Sequence, residues 1–120
     1  MPKKILIADD SLFMRTVLKD ILKDVYAIVE ADSGSTAEKQ ILAERPDLVL
    51  LDIIMPEGEE EGMSVLKKAM KANPKQKIVM ISALGQDSIM TECTKLGAAG
   101  YVVKPFEKEE VLRVVKKILY

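Results

Sequence analysis

Leu48-Val49-Leu50-Leu51-Asp52 is an unbroken apolar run closed by a carboxylate, and Ile5-Leu6-Ile7-Ala8-Asp9-Asp10 repeats the pattern near the start of the chain. Short apolar runs without alternation mark strands covered on both faces, as in a parallel sheet flanked by helices. Ala27 to Ala31, Ile78 to Ile81 and Tyr101 to Val103 are three further strand candidates, rich in Val and Ile. The segments between them change to a helical period. Met14, Val17, Leu18, Ile21 and Leu22 keep the i, i+3, i+4, i+7 spacing of a first helix with Ser11 as its N-cap. Further helices are predicted near Ser35 to Glu44, Gly62 to Ala72, Asp87 to Leu96 and Lys108 to Leu119. Pro46 and Pro74 fall just past the second and third, and Gly97 is a C-cap candidate for the fourth. The order is (βα)5, and right-handed crossovers then place helices on both faces of a five-stranded parallel sheet, a doubly wound α/β fold.

At 120 residues the chain is the size of one domain. Its 18 basic and 19 acidic side chains nearly balance, which argues against a nucleic-acid partner. The apolar runs fall far short of the ~20 residues of a membrane span. The Met-Pro-Lys-Lys start lacks the apolar region of a signal peptide, so a cytoplasmic protein without membrane attachment is expected. The single Cys93 has no partner for an internal disulfide and reads as a small helix residue. The chain has no histidine. It therefore offers no imidazole base and no phosphohistidine, and any phosphoryl group that passes through histidine must come from another protein.

In a (βα)5 sheet the positions after the strands face one pocket at the carboxyl edge. Here they bring Asp9, Asp10, Asp52, Ser82, and Lys104 followed by Pro105. Ionised carboxylates ~4 Å apart repel by about 4 kcal/mol per pair at an effective dielectric of ~20, so the cluster calls for a cation, a proton or solvent. Carboxylates with one hydroxyl and one ammonium suit Mg²⁺, a hard ion that prefers oxygen and keeps several waters, together with a phosphoryl group. An aspartate ionised near pH 7 can attack phosphorus.

Asp9-Asp10-Ser11, Asp52 within Leu-Leu-Asp-Ile-Ile-Met-Pro, Ser82-Ala83 and Val-Val-Lys104-Pro105-Phe106 together resemble the receiver domain of two-component response regulators. The resemblance runs over essentially the whole chain. It implies a flavodoxin-like sheet with strand order 2-1-3-4-5, one receiver domain over residues 1–120, and Asp52 as phosphoacceptor. It implies Mg²⁺ held directly by Asp10, Asp52 and the backbone carbonyl of Ile54, with Asp9 acting through water. Lys104 would pair with the phosphoryl oxygens. Ser82 would be the switch hydroxyl, Tyr101 the coupled aromatic that swings inward, and the Lys104–Pro105 bond would be cis.

The implied partners are a sensor histidine kinase and a downstream effector protein that reads the surface of the fourth helix, fifth strand and fifth helix. The implied oligomeric state is a monomer or a weak phosphorylation-dependent dimer. Phe13-Met14-Arg15 and the lack of an attached output domain look similar to chemotaxis receivers, which makes the flagellar motor switch a candidate effector. Such a domain catalyses only its own phosphorylation and dephosphorylation. Apolar Ile54 and Leu84 would flank the path of attacking water and restrict hydrolysis.

Taken singly, each residue has a plainer reading. Asp10 could share a helix cap with Ser11, Asp52 and Ser82 could be turn residues, Lys104 a solvated strand end, and Tyr101 and Met14 ordinary packing. Two rival functions follow. An aspartate-nucleophile phosphohydrolase usually carries Asp-x-Asp after its first strand, whereas Asp9 and Asp10 are adjacent. A non-phosphorylated interaction module would need no metal.

The chain departs from the family after Met55-Pro56, where Glu57-Gly58-Glu59-Glu60-Glu61 precedes Gly62 and makes the loop longer and acidic. Those glutamates either recruit a further cation or discriminate between kinases, or they form a solvated loop with the acidic preference of a helix start. The connection Lys23-Asp24-Val25-Tyr26 is also short, which bears on where the second strand begins.

Overall fold

A computed structural model describes residues 2–120. The elements alternate as read from the periodicity: β1 (Lys4–Ala8), α1 (Leu12–Leu22), β2 (Ala27–Ala31), α2 (Gly34–Glu44), β3 (Leu48–Leu51), α3 (Glu61–Ala72), β4 (Ile78–Ser82), α4 (Asp87–Lys95), β5 (Gly100–Val103) and α5 (Lys108–Leu119). The five strands form one parallel sheet in the order β2-β1-β3-β4-β5, the flavodoxin-like arrangement.

Alternate strand residues feed two separate cores. Leu6, Val49, Leu51 and Met80 pack with Leu66 of α3 and Cys93 of α4. Ile5, Ile7, Leu50 and Ile81 pack with Leu18 of α1 and Val111 of α5. Both faces of the sheet are thus apolar, which is why the strands lack a polar alternation.

Local chemistry sets the element ends. Ser11 caps α1, its hydroxyl accepting from the Met14 amide at 3.2 Å. α2 begins earlier than the predicted Ser35, because Ser33 and Thr36 form a reciprocal capping box. The helix ends at Arg45, which takes the left-handed conformation at φ 47° just before Pro46. Gly97 follows α4 at φ 111°, a conformation that favours glycine. β2 begins at Ala27 as expected. The short connection closes because the Val25 and Tyr26 amides both return to the Leu22 carbonyl.

Register brings the strand ends level. Ala8 lies opposite Leu51, and the ladder continues one step as the Asp52 amide donates to the Ala8 carbonyl at 2.9 Å. On the other side Ser82 lies opposite Val103, and the Lys104 amide donates to the Ser82 carbonyl at 2.9 Å. Asp9, Asp52, Ser82 and Lys104 therefore leave the sheet at one edge.

Candidate functional site

The site is built around a single ammonium shared by two carboxylates. Lys104 Nζ donates to Asp9 Oδ2 at 2.7 Å and to Asp52 Oδ2 at 2.8 Å. The other oxygens are held by backbone: Asp9 Oδ1 accepts from the Ser11 amide at 2.9 Å, and Asp52 Oδ1 from the Ile53 amide at 2.7 Å. Asp9 and Asp52 are buried at 2 % and 7 % exposure, whereas Asp10 faces solvent. Asp9, Asp10 and Asp52 each offer an oxygen within 4.8 Å of the others.

Burial pushes the Asp9 carboxyl above its usual range, against the pull of Lys104 and the Ser11 amide, and the charge on Asp52 adds to the rise. Burial penalises the Lys104 ammonium as well, but hydrogen bonds to Asp52 and Asp9 outweigh it and hold its pKa above the ordinary 10.5. The two shifts pull in opposite senses for the Asp9–Lys104 pair. With Nζ within 2.8 Å of two carboxylate oxygens, the ammonium is the group whose charge is secured at neutral pH.

This donor set fits a hard divalent cation. All three side chains are carboxylates, and Asp10 takes part in no ion pair among the described residues. The Ile54 carbonyl accepts no hydrogen bond among the described residues, and Ile54 is exposed beside Asp52. Three carboxylates and a free carbonyl match the all-oxygen preference of Mg²⁺.

Ser82 is fully buried, and its hydroxyl oxygen accepts from the Leu84 amide at 3.3 Å. Tyr101 is half-buried, packed against the core beneath α3 and α4, with its hydroxyl donating to the Leu84 carbonyl. Leu84 itself packs against that same core. The Lys104–Pro105 peptide bond is cis.

Two contacts escaped the sequence reading. Arg15 donates from Nη1 to the Asp9 carbonyl at 2.7 Å and from Nε to Glu30 at 3.1 Å, so it braces the turn that presents Asp9 and Asp10. Glu57 lies in an exposed loop, as a solvated loop would place it, but its carboxylate also accepts from the Gly34 and Ser35 amides, each at 2.9 Å. Those amides, Ser35 first, hold the Glu57 carboxyl below its usual pKa. Glu59 and Glu60 remain exposed.

The model of the response regulator receiver domain matches residues 5–116. The chain belongs to the response regulator receiver family. Phosphorylation and Mg²⁺ binding are general to this family, whose members are in general signalling domains. The receiver is 40% identical to the chemotaxis protein CheY of Thermotoga maritima over 120 residues, 98% of each chain. It is 34% identical to sporulation initiation phosphotransferase F of Bacillus subtilis, covering 99% of this chain and 95% of that one. Among solved structures it matches the CheX-CheY-BeF3-Mg complex from Borrelia burgdorferi at TM-score 0.94 and 31% identity, over 100% of this chain and 91% of that chain. Among the described residues, no helix of the receiver is long and apolar enough to cross a membrane.

Proposed function

We propose that residues 1–120 work as one receiver domain that takes a phosphoryl group onto Asp52 from a phosphohistidine of a sensor kinase, with Mg²⁺ as cofactor. The observation that carries this reading is the placement of Asp52, buried at the strand edge between the Asp9–Asp10 pair and the Lys104 ammonium. An Asp52 oxygen attacks phosphorus, an acyl phosphate O–P bond forms, and the P–N bond breaks with its electron pair returning to the kinase imidazole. Asp10, Asp52 and the Ile54 carbonyl would hold the metal directly and Asp9 through water. The ion supplies positive charge to the transferring oxygens when bound.

Lys104, already on Asp52, follows the incoming group and neutralises a further part of its charge. Ser82 hydrogen-bonds the new phosphoryl group, and Tyr101 responds with it. The surface of α4, β5 and α5 then changes its affinity for a downstream protein, a local charge change read through a two-state element. The likeness to chemotaxis proteins favours a chemotaxis pathway in the cytoplasm, with the flagellar motor switch as candidate effector. A monomer, or a dimer formed weakly on phosphorylation, fits this role.

The test is the intact mass after incubation with acetyl phosphate, with and without Mg²⁺, on the wild type and Asp52→Asn. One Mg²⁺-dependent phosphoryl adduct in the wild type and none in Asp52→Asn is the expected result. An adduct that survives the substitution would overturn Asp52 as acceptor, and none under any condition would favour a module that works unphosphorylated or a strict requirement for the cognate kinase.

A further inference from the structure

The acidic β3–α3 loop, though exposed, is fastened to a neighbouring helix. Met55 and Gly58 pair through two backbone hydrogen bonds of 3.1 and 3.0 Å, which fold Pro56 and Glu57 into a tight turn. That turn delivers the Glu57 carboxylate to the first two amides of α2, Oε1 to Gly34 and Oε2 to Ser35. A carboxylate suits this place, because the first amides of a helix have no partner within it and carry its positive end.

The far end of the loop rests on the same spot. A Cβ added to Gly34 would lie 2.4 Å from Glu61 Cγ, so the side chain that opens α3 fills the space a larger residue would need. Glu61 therefore packs closely over Gly34, beside the Glu57 bridge.

Between the Asp52 strand end and this turn lie only Ile53 and Ile54. We propose that Glu57 is a positioning residue of the metal site, bridging the α2 amides so that the Ile54 carbonyl stays where a cation on Asp10 and Asp52 requires it. This role rests on the metal site proposed above. Through this bridge α2 becomes part of the support for the site. Groups that touch no metal but hold its ligands in place commonly govern affinity nearly as strongly as the ligands do.

The experiment is a calorimetric Mg²⁺ titration of the wild type, Glu57→Ala, and Glu57→Ala combined with Ser35→Glu, together with amide hydrogen exchange of the metal-free proteins. Ser35→Glu returns a carboxylate and its charge to the first turn of α2 without rejoining the loop. Glu57→Ala is expected to weaken Mg²⁺ binding about tenfold and to speed exchange at the Met55 and Gly58 amides. The double variant is expected to keep both defects. Recovery of affinity in the double variant would show that helix stability or net charge was at stake and overturn the positioning role. Unchanged affinity and exchange in Glu57→Ala would overturn it too. A wild type that binds no Mg²⁺ would instead remove the metal-site reading, and this role with it.

Discussion

Lys104→Met is expected to lose about 3 kcal/mol of unfolding free energy in metal-free buffer at pH 7, because removing one partner of a buried ionic cluster leaves the others uncompensated. Methionine keeps most of the stem and deletes the charge. Asp9 and Asp52 then face each other with only backbone donors. The pH dependence separates charge from packing. The folded pKa of Lys104 lies above its ordinary 10.5, so its contribution is fully present below 10.5 and is lost as pH rises through the folded value.

At the acid end the variant recovers. Asp9 already sits above its ordinary 3.8, and without the ammonium it rises further. The native state then binds more protons than the unfolded chain, so the variant gains stability as pH falls through the raised value towards 3.8. Urea unfolding at pH 5, 7 and 11 should show the largest gap from wild type at pH 7. An equal gap at all three would mean that the stem, and not the charge, matters. Added Mg²⁺ should also stabilise the variant more than the wild type, since the ion takes over the task of the missing ammonium.

Gly62→Ala is the second large loss. Alanine in a helix ordinarily gains about 1 kcal/mol over glycine. Here its Cβ would stand 2.0 Å from the Asp52 carbonyl oxygen and 2.5 Å from Ile53 Cα. Both obstacles are backbone, held in turn by the 2.7 Å bond from the Gly62 amide to the Ile53 carbonyl. The sign therefore reverses, with an expected loss of about 3 kcal/mol, at the upper end for overfilled interiors. The urea midpoint should fall, and phosphoryl labelling should fall with it as the Asp52 peptide is displaced. Gly58→Ala is the matched comparison, because no atom lies within 4 Å of its Cβ position. Its midpoint should move by no more than about 0.5 kcal/mol in equivalent stability. Equal losses at the two glycines would rule out the close approach at Gly62 as the cause.

The five strands were legible because each core strand is apolar on both faces, and the five helices because their periodicity stands out from those runs. α2 was misplaced by a residue because Ser33 caps it with Thr36, while the familiar signal pairs the cap with Glu or Gln. The edge strand β2, less buried than the others, was still legible from Ala27-Ile28-Val29. Asp9, Asp10, Asp52, Ser82 and Lys104 could be read as one cluster because all end or follow strands and the edge collects them.

What escaped was contact between distant segments. Lys104 reaches Asp9 across 95 positions, and Glu57 reaches Gly34 across 23. Neither hydrophobic period nor turn chemistry encodes the path of a side chain from a loop to another helix. A glycine at the first position of α2, with a carboxylate-rich loop elsewhere, was the one available hint. Arg15 entered the sequence reading only as part of Phe13-Met14-Arg15, and its grip on the Asp9 carbonyl depends on how closely α1 turns back against β1.

Leu84 is held at both ends of its backbone, its amide by Ser82 Oγ and its carbonyl by the Tyr101 hydroxyl. Ser82 and Tyr101 lie 19 positions apart, yet they grip the same residue. A pull on the Ser82 oxygen strains the Leu84 amide, and rotation of that residue carries away the acceptor on which the tyrosine rests. The β4–α4 turn thus links the two side chains through one residue, and a displacement of Leu84 would disturb both hydrogen bonds at once.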